Sequence, residues 1–455
     1  MYRDDTIVAC ATAPGPGAVA IVRLSGPQAL DIGARMFSSR SNAAPEPRRL
    51  RLGVLRDPVT GETLDEAMAV TMPGPASYTG EDVVELHSHG SPLLVERIVS
   101  VAVALGARLA ERGEFTRRAV LNGRMDLLQA EAVADLISAG LEGGARQAWA
   151  QLQGALSERL KRLRSHLVEA LARVEAEVDF SEDECSGPIH SPERFLQQAA
   201  DEIRELLEGF PAARRQREGF RTVMVGRPNV GKSSLTNALL GSGRMIVTTE
   251  AGTTRDAVDE VVDLGGVAFV LTDTAGLRES NSRAETAAVV MAREKAAEAD
   301  IKILVLDGSL ALGDHDRSLA KDLGETAIIV VNKSDLPGAL TAADLNDLEK
   351  SGHAVIFASA LTGEGCGQIA AALVKLAGVE PEGAPAAISR VRHRGGLEQA
   401  QLALAKAVEL CAQGGGDELV ALEIRAAIGE ISALTHPLGD EELLDRIFSE
   451  FCVGK

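Results

Sequence analysis

The segment Gly226-Arg-Pro-Asn-Val-Gly231-Lys232-Ser233 constrains this chain more than any other stretch. It fits G-x-x-x-x-G-K-[ST], follows the apolar run ThrValMetVal at 222–225 and precedes a helical pattern, the strand–loop–helix context that phosphate cradling demands. Glycines let backbone N–H groups close on phosphate oxygens, Lys232 reaches the β and γ oxygens, and the Ser233 hydroxyl, at a helix N-terminus, ligates magnesium. By itself the motif has a second reading, an accidental Gly-rich turn, so the decision rests on what surrounds it.

Three further segments follow in the order and spacing of a GTPase. Asp273, Thr274, Ala275 and Gly276 end one strand pattern, where the aspartate holds magnesium through water and the Gly276 amide senses a γ-phosphate. Asn332-Lys333-Ser334-Asp335 ends another, and the Asp335 carboxylate accepts the two adjacent protons of guanine that adenine lacks. Ser359, Ala360 and Leu361 stand where a backbone amide meets the guanine carbonyl, a weaker signal taken alone. Between the phosphate loop and Asp273 lies Thr248-Thr249-Glu250-Ala251-Gly252-Thr253-Thr254, read as the switch loop with Thr254 closing over magnesium. The expected nucleotide contacts are these segments together with Asn229, Val230, Gly231, Lys232, Ser233 and Ser234.

Leu277 follows Gly276 and cannot orient a water, so hydrolysis needs another water-positioning group and another positive charge. Asn229 offers a carbonyl oxygen for a monovalent cation beside the phosphates, and Glu285 is the nearest carboxylate, although by itself it reads first as a solvated charge. Arg255 and Arg278 are alternative sources of charge.

Around this core the texture changes. Residues 1–120 alternate β-rich runs with Gly/Pro turns and two apolar helical stretches, an α+β pattern. In 121–217, Leu152, Leu156, Leu160, Leu163, Leu167, Leu171, Val174 and Val178 recur every three or four positions and predict one long helix; a second helix is expected from Pro192 to Phe210. Residues 218–377 alternate buried strand runs with helical patterns, and 378–455 return to helix. The expected fold is multidomain α/β: a Ras-like P-loop domain inserted into a helical bundle and preceded by an α+β domain.

With 47 Lys plus Arg against 66 Asp plus Glu, the net charge of -19 excludes binding to nucleic acid or membrane by bulk attraction. Any nucleic-acid partner must meet a local patch, and Arg390, Arg392, His393 and Arg394 are read either as that patch or as a solvated run. Five scattered cysteines without C-x-x-C spacing, and no apolar run of the length a membrane span needs, predict a reduced, cytoplasmic setting. His87 and His89 share one face of a strand but lack a third metal ligand of suitable spacing.

Over nearly its whole length the chain resembles the MnmE/TrmE family of tRNA wobble-uridine modification GTPases. The resemblance rests on Asp5-Thr-Ile-Val-Ala9, Thr79-Gly-Glu-Asp82, Glu85-Leu-His-Ser-His-Gly90, Gly113-Glu-Phe-Thr116, Leu121-Asn-Gly-Arg-Met-Asp-Leu127, Gln129-Ala-Glu-Ala132, the GTPase segments and Phe451-Cys-Val-Gly-Lys455. It implies a potassium-stimulated GTPase that dimerises through a folate-binding N-terminal domain. With the FAD-binding partner MnmG it would form an aminomethyl or carboxymethylaminomethyl group at carbon 5 of the wobble uridine. The same resemblance implies potassium at Asn229, Thr248, Glu250 (through its carbonyl) and Thr253, magnesium at Ser233 and Thr254, and water orientation by Glu285. It places a reduced folate, of the 5-formyl or methylene type, at Arg23, Glu85, Arg124 and Lys455, with Arg124 standing where lysine is common and Arg112 where proline is common. The Cys-x-Gly-Lys segment is expected to fold toward that pocket, with Cys452 either a structural thiol or a nucleophile. Two other functions fit parts of the chain: a ribosome-assembly GTPase switch and a folate-responsive scaffold.

Overall fold

The computed structural model describes residues 5–40, 46–140, 142–179, 192–245, 259–272, 299–378, 386–413, 416–436, 441–449 and 451–455. It divides into two compact units, one of residues 1–134, 152–171 and 421–455, the other of residues 135–151 and 172–420.

The first unit is built on a seven-stranded sheet in the order β3-β4-β5-β6-β2-β1-β7. Its strands are β1 (Ile7–Cys10), β2 (Gly17–Ser25), β3 (Phe37–Ser39), β4 (Arg51–Arg56), β5 (Thr63–Met72), β6 (Val83–Gly90) and β7 (Arg108–Leu109). Strand β2 shows why: Ala20, Val22 and Leu24 alternate into the core and leave Ile21 and Arg23 on the other face. Helices α1 (Ala29–Met36) and α2 (Pro92–Ala104) contribute Ile32, Met36, Ile98 and Ala102 to the same core. Helix α3 (Glu114–Leu121) begins at Gly113, and α4 (Leu127–Ser138) follows.

The long helix predicted by the stripe at 152–178 is α6 (Ala155–Asp179), and it is preceded by two separate helices, α4 and α5 (Glu142–Leu152), the latter taking Leu152. Gly154, at φ +90°, takes a left-handed conformation that no helix interior accepts, and it separates α5 from α6. The predicted stripe survives inside α6, where Leu156, Leu160, Leu163, Leu167 and Val174 are buried. Near the end of the chain α14 (Glu441–Ser449) places Leu444, Ile447 and Phe448, with Phe451, against Val120, Leu127 and Ala130. Gly113 makes room, because a Cβ there would press on Phe448 at 2.9 Å.

The second unit holds a seven-stranded sheet in the order β14-β13-β12-β8-β11-β10-β9. Strands β8 (Phe220–Val225), β11 (Val267–Thr272), β12 (Ile301–Asp307), β13 (Ala327–Asn332) and β14 (Ala354–Phe357) are mutually parallel. Strands β9 (Arg244–Met245) and β10 (Asp259–Leu264), not foreseen from sequence, add an antiparallel edge. All six residues of β13 are buried, as expected of a parallel strand covered on both faces. Around the sheet lie α8 (Lys232–Ser242), α9 (Asp314–Lys321), α10 (Ala342–Glu349) and α11 (Cys366–Ala377), and α12 (Val391–Gln413) and α13 (Asp417–Thr435) follow.

Helix α7 spans Glu193–Glu218, so it runs past Pro211 and through the basic segment at 214–217 where the sequence suggested an end. Pro211 is exposed while Phe210 and Ala213 on either side are buried, so packing outweighs the one lost backbone donor. Arg214 and Arg215 pair with Asp300 at 3.5 and 3.7 Å, fastening this helix to the start of β12. Among the described residues no helix is long and apolar enough to cross a membrane.

Candidate functional site

The phosphate loop joins β8 to α8. Its two motif glycines are required by the protein as well as by a ligand. Gly226 (φ +148°) passes so close to β12 that a Cβ would strike the Val305 carbonyl, and a Cβ on Gly231 (φ +96°) would strike the Asn332 side-chain amide. Lys232 opens α8 and donates from Nζ to the Gly226 carbonyl at 2.9 Å and the Arg227 carbonyl at 2.8 Å. These bonds aim a nearly buried ammonium at the loop's concave side, while Asn229, Ser233 and Ser234 are exposed along it. Val230 is buried beneath the loop.

The base-reading loops converge from the ends of β13 and β14. Asn332 is buried; its Nδ2 donates to the Val230 carbonyl at 2.8 Å and its Oδ1 accepts the Ala360 amide at 3.0 Å. It therefore braces three loops, using one of its two amide N–H donors and its carbonyl oxygen to do so. Asp335 accepts a 2.5 Å hydrogen bond from the Ser359 hydroxyl, which fixes the carboxylate expected to read guanine. Ser359 is buried and Leu361 is 85% exposed, so position 361 contributes backbone and not packing. Lys333 sits at φ +64° with Nζ 2.6 Å from Asp307. Burial by itself would raise the Asp307 pKa, but hydrogen bonds from Lys333 and Ser309 prevail and hold it below the ordinary carboxylate range. Asp307 went unnoticed in the sequence, although an acid at the end of the apolar run at 303–306 was a visible signal.

Thr248 to Thr254, Asp273 to Gly276, Leu277 and Glu285 lie outside the described residues, as do Arg255 and Arg278.

A second site occupies the first unit. The antiparallel register of β2 and β6 sets Arg23 directly opposite Glu85. Arg23 donates from Nε to Glu85 Oε1 at 2.9 Å, and its guanidinium lies over the rings of Tyr78 (5.1 Å) and Phe115 (5.6 Å). Tyr78 is held by Thr116 at 2.9 Å, and burial raises its pKa. His87 Nε2 is 3.5 Å from the other Glu85 oxygen. Two buried nitrogens here, Arg23 Nη1 and His87 Nε2, have no hydrogen-bond partner among the described residues. Such orphans suit a polar ligand carrying acceptors. Lys455 completes the group: burial pushes its pKa down, the charge of Arg23 pushes the same way, and Glu85 opposes both. Arg124 donates to the Ser77 carbonyl at 3.0 Å and so supports the loop that carries Tyr78. The resemblance names Arg23, Glu85, Arg124 and Lys455; Tyr78 and Phe115, whose rings lie under the Arg23 guanidinium, are not among them, and only the folded register reveals that contact.

The loop is anchored from below by charges. Arg118, almost fully buried, bonds Asp5 at 2.5 Å and Glu81 at 3.1 Å, and Glu81 accepts from Ser25 at 2.7 Å. Hydrogen bonds from Arg108 hold Asp5 below its usual range; burial pushes the Glu114 pKa up, but Arg108 overrides it and keeps Glu114 low as well.

The Cys-x-Gly-Lys segment packs on the end of β1 and on Arg112. Gly454 (φ +97°) lies on the Cys10 carbonyl with no space for a Cβ, and Val453 pairs with Arg112 in an isolated antiparallel bridge. Cys452 is exposed, so it is not a buried structural thiol. His89 turns to Asp65 at 2.8 Å, away from any shared site with His87, and no metal-binding cluster of three acidic, His or Cys side chains occurs among the described residues. In the 390–394 segment Arg390 pairs with Asp135 at 2.7 Å and His393 is fully buried, while Arg394 stays half-exposed in a surface pair with Glu398 at 2.7 Å.

Residues 6–124 match the family described as GTP-binding protein TrmE N-terminus, and residues 127–452 match the MnmE helical domain. The tRNA modification GTPase MnmE of Geobacter sulfurreducens is 43% identical, covering 100% of both chains. That of Symbiobacterium thermophilum is 42% identical over 99% of this chain and 100% of its own, and that of Roseiflexus sp. is 42% identical over 100% of both. A nucleotide loop braced by its base-reading strands, two family matches that together run from residue 6 to residue 452 and full-length similarity show that the chain belongs to the MnmE (TrmE) family of tRNA modification GTPases and is a GTP-hydrolysing enzyme.

Proposed function

We propose that this GTPase, stimulated by potassium and working with an FAD-binding partner of the MnmG kind, forms an aminomethyl-type group at carbon 5 of the wobble uridine in tRNA. A reduced folate bound in the first unit would supply the one-carbon unit. The observation that carries this reading is the Arg23–Glu85 pair caged by Tyr78 and Phe115, with Arg23 Nη1 buried and unpartnered. Glu85 suits the donor-rich amide edge of a pterin, the Tyr78 and Phe115 rings hold the Arg23 guanidinium in place beside it, and Lys455 and Arg124 suit an anionic glutamate tail. A lowered Lys455 pKa marks an amine that gains most from an incoming carboxylate.

For the nucleotide, Lys232 neutralises the β and γ oxygens and Asp335 selects guanine. Ser233 with Thr254 would hold magnesium. Asn229, with Thr248, the Glu250 carbonyl and Thr253, would hold potassium, all oxygen donors suited to hard cations. Glu285 would orient the water. The working form is a cytoplasmic homodimer. Nucleoside analysis of tRNA from cells lacking the protein tests the reading: loss of the modified wobble uridines is expected, and an unaltered set rejects it. Titration with 5-formyltetrahydrofolate tests the pocket separately, with Glu85→Gln expected to weaken binding at least about tenfold.

A further inference from the structure

We infer that Arg227 and Asp316 form a positioning clamp that sets the phosphate-binding lysine. Arg227 Nη2 lies 2.8 Å from Asp316 Oδ2. The same oxygen accepts the Gly313 amide at 3.0 Å, at the start of α9. Arg227 is thus bound at both ends: its side chain to α9, and its backbone carbonyl to Lys232 Nζ at 2.8 Å.

The two carbonyls that aim Lys232 are fixed by different means. Gly226 is trapped by its approach to the Val305 carbonyl. Arg227 has no such packing constraint, being only partly buried, and its side-chain pair with Asp316 is what holds it. The far half of the loop is braced by Asn332 through Val230. The clamp therefore governs the near half, where the lysine's direction is decided.

A helix cap alone does not account for Asp316. Asp316 stands at the third position of α9 and accepts the Gly313 amide, a task that a neutral side-chain carbonyl at that position also performs. Asp316 is 1% exposed, and its Oδ1 has no hydrogen-bond partner among the described residues. A carboxylate buried at that cost is retained where a cation compensates it, and Arg227 is that cation. Because Lys232 meets phosphate in both ground and transition states, losing the clamp should weaken nucleotide binding more than turnover.

The test uses the full-length enzyme, steady-state GTP hydrolysis and displacement of a fluorescent GDP. Asp316→Asn keeps the cap acceptor and the size but removes the charge. It should raise the KM for GTP and the Kd for GDP about tenfold, with kcat changed less than about threefold. Arg227→Ala should match it, and the Arg227→Ala/Asp316→Asn double variant should be no worse than the worse single one. Unchanged KM and Kd in folded Asp316→Asn, with only a lowered Tm, would overturn the clamp. So would losses that simply add in the double variant. If Arg227→Ala does not fold, Arg227→Lys replaces it, with an intermediate KM expected; a wild-type KM there counts against a charge-and-geometry clamp.

Discussion

Asn332 donates its side-chain amide to the Val230 carbonyl at 2.8 Å, so the strand end that reads the base also holds the loop that grips phosphate. Asn332→Asp puts an oxygen where that donor stands and faces it with a carbonyl. We expect a loss of about 2 kcal/mol in stability and at least about tenfold weaker GDP binding, measured by denaturant unfolding and fluorescent-nucleotide titration.

The Asp335 carboxylate, fixed by Ser359 at 2.5 Å, is matched to two adjacent donors on guanine. In Asp335→Asn one acceptor becomes a donor, which suits xanthine, whose carbon-2 substituent is a carbonyl. GTP hydrolysis at limiting substrate should drop about a hundredfold, and xanthosine triphosphate should become the better substrate in a direct competition.

Gly454 has no room for a side chain against Cys10 and adopts a left-handed φ of +97°. Gly454→Ala should lift Lys455 out of the first-unit pocket. Folate binding, followed by calorimetry, should fall at least about tenfold while GTP hydrolysis in the second unit stays at the wild-type rate.

Asp307 has a folded-state pKa below its ordinary value of 3.8, because Lys333 and Ser309 overcome the opposing effect of burial. Its contribution to stability is therefore complete above that value and is lost as pH falls from there through the lower folded-state pKa. Asp307→Asn should be less stable than wild type at neutral pH, and the gap between their Tm values should narrow as the pH drops below about 4.

What could be read from sequence and what could not follows from how each feature is encoded. The phosphate loop and Asn332 to Asp335 were legible because each is one short string at a strand end, where neighbouring residues share a task. The Arg227–Asp316 pair joins residues far apart along the chain, and nothing local to either announces the other. Tyr78 and Phe115 became part of a site only when the β2–β6 register put Arg23 between them and Glu85. Pro211 pointed to a helix end, yet the burial of Phe210 and Ala213 carried α7 onward. The stripe on α6 was correct in its period and wrong in its extent, since periodicity does not register a single left-handed glycine.

The seating of α14 on α3 has a consequence for how the protein is made. Arg117 pairs with Asp445, 328 positions later, and Phe448 closes over Gly113. On a ribosome the sheet core of residues 8–107 can close early, but Val120, Leu127 and Ala130 are synthesised long before the residues that cover them. A nascent chain of this design carries that one apolar patch uncovered for most of its synthesis.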